Sequence, residues 1–238
     1  MTISIIIPIF NEVKTISSVV RTLNKVAIQG VKKEIIIVDD GSTDGSAREI
    51  SKIKQNIPSI KTANHKKNVG KGKAIRTGIK HATGDYILVQ DADLEYNPRY
   101  IRDLVSEQKR TNSQVVYGTR LKRMPNFHKD EKTVRFAIHY MGNKILSLIT
   151  SILYGQWITD METGYKLISL QAMKNITLRS NGFDFEPEVT AKLLKNGYTI
   201  YEIPISTIPR GYDQGKKLRT VHDGMIALWT IVKYRFVN

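Results

Sequence analysis

Short β-branched runs alternate along this chain with stretches whose apolar residues recur every three or four positions. Ile3 to Ile7 is the first run, and Val13, Ile16, Val19, Val20, Leu23 and Val26 then repeat at helical spacing. Ile35 to Val38 is a second run, followed by a helical stretch from Ser46 to Gln55. A third, Ile60 to Asn64, leads into a helix ending near Ala82, and Tyr86 to Val89 and Gln114 to Tyr117 flank another from Asn97-Pro98 to Thr111. Continuous apolar strands alternating with amphipathic helices predict an α/β fold: a Rossmann-like, mostly parallel sheet flanked by helices. Asn11 is the expected N-cap of the first helix.

Beyond Arg120 the pattern changes. Residues 121–132 are polar and charged and read as a loop, and Thr133 to Tyr154 is a long helical stretch. Gly182 to Glu188 leads a helix bearing Val189 and Leu193, Ile200 to Ile208 is extended, and residues 209–217 form a glycine-punctuated basic loop. The last segment places Val221, Met225, Leu228, Trp229, Val232 and Phe236 on one helical face. Packing onto the core is the expectation for such a face. Membrane contact is the alternative, since Trp229, Lys233, Tyr234 and Arg235 are residue types that seek an interface. Without repeats or a linker, residues 1–238 read as a single domain.

Three of the predicted strands end in chemistry. In open parallel sheets ligands bind beyond the carboxyl ends of strands, and Pro8 to Glu12, Asp39-Asp40 and Asp91 to Glu95 all lie at such ends. A strand continuing past Gln90 would turn Asp91, Asp93 and Glu95 to one side. Three carboxylates together repel one another unless a cation sits among them. Hard oxygen ligands suit Mg2+ or Mn2+ carrying a diphosphate; a solvated acidic turn is the plainer reading of a lone D-x-D. The segment Asn68 to Ala74 holds Gly70 and Gly72 at a helix start, where phosphate can approach backbone amides. A tight loop with a solvated lysine pair, Lys71 and Lys73, fits the same residues. The Walker A spacing is absent, which excludes an ATPase P-loop.

Composition narrows the partners. The chain has no cysteine, so disulfides and zinc-thiolate sites are excluded. Net charge is +15; residues 1–97 carry 15 basic and 10 acidic side chains, residues 98–238 carry 22 and 12. An excess of cations in the second part suggests an anionic partner there. Nucleic acid is disfavoured, because acidic strand ends would repel its phosphates. The N-terminus lacks the basic region of a signal peptide. Ile145 to Thr159, the longest apolar stretch, falls short of the roughly 18 residues that span a bilayer and contains Gly155 and Gln156.

The order of these motifs resembles the family 2 glycosyltransferases of the GT-A fold, in their dolichyl-phosphate mannose synthase-like, polyprenyl-phosphate branch. The matching pieces are IIIPIFNE (5–12), VDDGSTDG (38–45), NVGKGKA (68–74), GDYILVQDADLEYNP (84–98), YGTR (117–120), TDMETGYKLI (159–168) and FEPEVTAKL (185–193), in the family's order across nearly the whole chain. The resemblance implies a nucleotide-binding half (1–97) and an acceptor-binding half with membrane-proximal helices (98–238). It assigns the nucleotide to Pro8, Phe10, Asn11, Glu12, Asp39, Asp40, Lys71, Asp91, Ala92 and Asp93, and the metal to Asp93 and Glu95. Phe10 stands where the family commonly has tyrosine. Asp91, Asp93 and Arg120 are the expected catalytic residues. Arg120, Arg135, His139, Arg210, Lys216 and Lys217 are expected at an acceptor phosphate, which is already anionic and needs charge neutralisation instead of a base.

The implied reaction moves a hexose, with inversion, from a donor of the GDP-mannose or UDP-glucose type to a polyprenyl or dolichyl phosphate. Its alternatives are a family 2 transferase to a hydroxyl acceptor, with Asp160 or Glu162 as base, and a non-catalytic basic binding module. The expected place is the cytoplasmic face of a membrane, held peripherally, by a membrane-anchoring partner subunit, or by a transmembrane segment beyond this sequence.

Overall fold

The computed structural model describes residues 1–121, 134–208 and 220–237, with backbone alone at 134–139 and 220–221. The elements run β1 (Thr2–Ile9), α1 (Ile16–Lys25), β2 (Lys32–Asp39), α2 (Ser46–Asn56), β3 (Lys61–Asn64), α3 (Lys71–His81), β4 (Tyr86–Val89), α4 (Tyr100–Thr111) and β5 (Val115–Thr119). They continue with α5 (Val134–Tyr154), β6 (Lys166–Ser169), α6 (Leu170–Lys174), α7 (Phe185–Lys195), β7 (Ile200–Pro204) and α8 (Thr220–Phe236). These form one seven-stranded sheet in the order β3-β2-β1-β4-β6-β5-β7. β6 runs antiparallel to β4 and β5; the other pairs are parallel.

β1 explains why its strand is apolar without alternation. Ile3, Ile5, Ile7 and Ile9 join a core with α1, α2 and α4, while Ile6 faces a second core with α3, α5, α7 and α8. A strand covered on both faces must be apolar on both. Each fully buried isoleucine there contributes about 1.5–3 kcal/mol relative to exposure. The chain order reverses at β1, between β2 and β4, which opens the crevice at their carboxyl ends.

Three expectations are corrected. The strand stops at Val89, and Asp91, Asp93 and Glu95 lie on a turn in which Leu94 takes φ 65°. Gln90, fully buried, forces it: its amide donates to the carbonyls of Asp91 and Tyr96, and its oxygen accepts from the Tyr165 hydroxyl at 3.0 Å. Asn11 is not an N-cap. It sits at φ 58°, α1 starts after Thr15, and Ser42, Ser46 and Asp44 take the amides of Asn11, Glu12 and Val13. The α8 face read as core packing is split: Leu228 packs against the core and Val232 is half-buried, but the rest of the described face points outward. Ala227, Thr230, Ile231 and Tyr234 are buried, whereas Met225, Trp229 and Phe236 are exposed, Trp229 by 67%.

Candidate active site

A cavity of about 550 Å³ opens at the carboxyl ends of β1 and β4. Its floor is made by the loops after these strands: Pro8, Phe10 and Glu12 from one, Asp91, Ala92, Asp93 and Glu95 from the other. Asp40 and Lys71 line one side, and Arg120, Glu162 and Glu186 another. Asn143 of α5 and Asp223 of α8 complete the wall. Asn11 and Asp39 are not part of its lining and hold the loops instead: Asn11 Oδ1 accepts from the Thr43 amide and Asp39 Oδ1 from that of Ser42. Arg135 and His139 fall on the first turns of α5, but their side chains lie outside the described residues, as do Arg210, Lys216 and Lys217.

The glycine loop holds protein against protein. A Cβ on Gly70, at φ 109°, would stand 2.3 Å from the Asn181 carbonyl oxygen, and one on Gly72 2.8 Å from that of Ser180. Asp40 ties the loop from the other side, accepting from the Val69 and Gly70 amides and paired with His65 at 2.6 Å. This arrangement delivers Lys71 into the cavity. Its Nζ lies 2.9 Å from Asp91 and 3.1 Å from Glu186. Burial opposes the charge, and the two carboxylates overcome it, holding the lysine pKa well above its ordinary value. Lys71 is therefore a half-buried, paired cation and not half of a solvated pair.

Asp93 responds oppositely. Burial, then the negative charges of Asp91 and Glu95, push its carboxyl up to about 7. A divalent cation would relieve that repulsion. Among the described residues no group of three or more His, Cys, Asp or Glu side chains is arranged to hold a metal by itself. Asp93 and Glu95 instead suit an ion that completes its shell with phosphate oxygens and water, as Mg2+ does.

Arg120 and Asp160 form the other charged pair. Arg120 donates from Nε and Nη2 to the two Asp160 oxygens, both at 2.8 Å, and its backbone amide also reaches Oδ2. Asp160 is wholly buried, yet Arg120 outweighs that burial and keeps its carboxyl below the usual range. Neither bond uses Nη1, and the arginine side chain retains 22% exposure at the cavity.

Sequence reading missed several residues that line or support this cavity. Gln90 and Tyr96 position the acidic turn, with Tyr96 stacked on Tyr165 at 5.1 Å. Lys166, buried between Glu162, Glu186 and Asp160, is brought down to about 8 by burial. Asn143 and Asp223 sit on helices whose apolar spacing does not single them out.

The chain matches Glycosyl transferase family 2 over residues 4–177. An uncharacterized protein of Methanocaldococcus jannaschii is 30% identical over 219 residues, 90% of this chain and 84% of that protein. A UDP-N-acetylglucosamine–dolichyl-phosphate N-acetylglucosaminyltransferase of Methanococcus voltae is 29% identical over 231 residues, 90% of this chain and 88% of its own length. Crystal structures of glucosyl-3-phosphoglycerate synthase from Mycobacterium tuberculosis share the fold. The complex with UDP has a TM-score of 0.69 at 18% identity, covering 98% of this chain and 78% of that one. The complex with Mn2+, UDP and phosphoglyceric acid has a TM-score of 0.68 at 19% identity, covering 100% and 79%. The chain belongs to glycosyl transferase family 2 and is a glycosyltransferase that uses a nucleotide sugar.

Proposed function

We propose that this protein transfers a hexose or N-acetylhexosamine from a uridine diphosphate donor to a polyprenyl or dolichyl phosphate at a membrane surface, with inversion and with Mg2+ or Mn2+. The observation that carries this is the state of Asp160. A hydroxyl acceptor needs a base; of the two carboxylates that the sequence offers, Asp160 is locked in a bidentate pair with Arg120, which leaves only Glu162 of the two open to that role. An acceptor phosphate needs cations instead, and Arg120 lines the cavity with part of its side chain exposed.

Asp93 and Glu95 would hold the metal, which neutralises the leaving diphosphate when bound. Pro8, Phe10, Glu12, Asp40, Lys71 and Asp91 take the nucleotide. Arg120 steadies the acceptor, whose phosphate oxygen forms the new bond to the anomeric carbon as the bond to the diphosphate breaks. Arg135, His139, Arg210, Lys216 and Lys217 belong to the same acceptor reading. Residues 1–97 serve the donor and 98–238 the acceptor, within one domain.

Support for a lipid acceptor comes from the surface next to the cavity. Met141, Ile145, Leu148 and Ile152 form an exposed stripe on α5, and Trp157 and, on α8, Met225, Trp229 and Phe236 are exposed as well. The two helices pack on each other and also supply the cavity wall, so apolar surface and cavity adjoin. No helix among the described residues is long and apolar enough to cross a membrane. Contact with the bilayer is thus proposed through the helix faces. The uridine donor is supported by the donor that names the Methanococcus voltae relative.

Incubation with UDP-N-acetylglucosamine or UDP-glucose, Mn2+ and dolichyl phosphate should give an acid-labile, lipid-extractable sugar phosphate. Transfer to dolichol but not to dolichyl phosphate would overturn the acceptor assignment.

A further inference from the structure

Glu162 lines the cavity, yet its Oε1 is sealed from solvent and has no hydrogen-bond partner. Buried acceptors are almost always satisfied, and one left open in a binding site marks a missing partner. The surrounding groups do not fill it. Asp160 is taken by Arg120, and Asp91 and Glu186 share Lys71. Lys166, close enough to feel the Glu162 charge, donates its ammonium to the carbonyls of Met161 and Thr163.

The chemistry of the missing partner follows from the neighbours. An anion set directly against Glu162 is unwelcome, because Glu186 adds a second negative charge within electrostatic reach even though Lys166 and Arg120 act in the opposite sense. Burial and that neighbouring charge push the Glu162 carboxyl up to about 8. A neutral group with an O–H is acceptable whether the carboxyl is ionised or protonated. We infer that Glu162 accepts a hydrogen bond from a hydroxyl of the transferred sugar, and so helps to set which sugar the enzyme uses. The inference rests on the nucleotide-sugar reading of the cavity; a Glu162 that served instead as base toward a hydroxyl acceptor would leave the binding ratios among UDP-sugars unchanged on its removal.

Isothermal titration with UDP, UDP-glucose, UDP-galactose and UDP-N-acetylglucosamine, each with Mn2+, tests it on the wild type, Glu162→Ala and Glu162→Gln. UDP should bind all three proteins within twofold. The best UDP-sugar should lose tenfold or more relative to UDP in Glu162→Ala and less in Glu162→Gln, whose amide oxygen still accepts. Sugar ratios unchanged in Glu162→Ala would overturn the inference, as would an equal loss for UDP, which marks a structural role. Wild type that binds UDP-sugars no better than UDP would overturn it too. Failure of UDP, and of GDP titrated alongside it, to bind wild type would instead remove the nucleotide reading on which it rests.

Discussion

Asp93 shows how a single side chain can be stabilising for function and costly for the fold. Its folded-state pKa, about 7, lies above the ordinary carboxylate value. Between about pH 4 and 7 the folded chain keeps a proton that the unfolded chain has lost, so this group's contribution to stability falls as pH rises through that window. Asp93→Asn removes the penalty. The variant should gain on the order of 1–2 kcal/mol over wild type at pH 8, allowing for residual solvent screening, and nothing at pH 4. Urea unfolding at the two pH values measures the difference. A variant less stable than wild type at pH 8 would contradict the like-charge account. The same substitution should abolish transfer.

At the scale of elements, periodicity located β1 to β5 and the helices between them, since apolar runs covered on both faces leave little ambiguity. It missed the turn at Asp91 because that turn is made by Gln90 reaching Tyr96 and Tyr165, contacts that no spacing encodes. It misread α8 for a different reason. Hydrophobic spacing identifies an apolar face without saying what covers it, and here the side that faces the protein mixes Ala227 and Thr230 with Ile231 and Tyr234. The motif NVGKGKA was visible, but its glycines answer to the Asn181 backbone. Gly70→Ala combines a positive φ with a backbone clash and should destabilise by about 2 kcal/mol or more. Chemical denaturation that finds the variant as stable as wild type would refute that packing role. Lys71, Asp91 and Glu95 were legible as cavity residues; the Lys71–Glu186 pair, joining positions distant in sequence, was not.

Across the whole molecule, charge and apolar surface point to one partner. Net charge is +15, and α8 carries exposed Lys233 and Arg235 beside exposed Trp229 and Phe236. Cations near anionic headgroups contribute about 1 kcal/mol each, and salt screens them. Trp157→Ser with Trp229→Ser should leave the melting temperature unchanged, because both rings are exposed, by 71% and 67%. Sedimentation with phosphatidylglycerol vesicles should show binding weakened at least tenfold. Undiminished binding would remove the helix faces from the membrane contact.

The central claim is that the acidic turn after β4 binds the metal–diphosphate of a nucleotide sugar. Thermal shift with UDP and GDP, each with and without Mn2+, on wild type and Asp93→Ala tests it most directly. The account predicts a shift for wild type with UDP that requires Mn2+, is reversed by EDTA, and disappears in Asp93→Ala. A nucleotide shift of equal size without metal, or retained in Asp93→Ala, would contradict it.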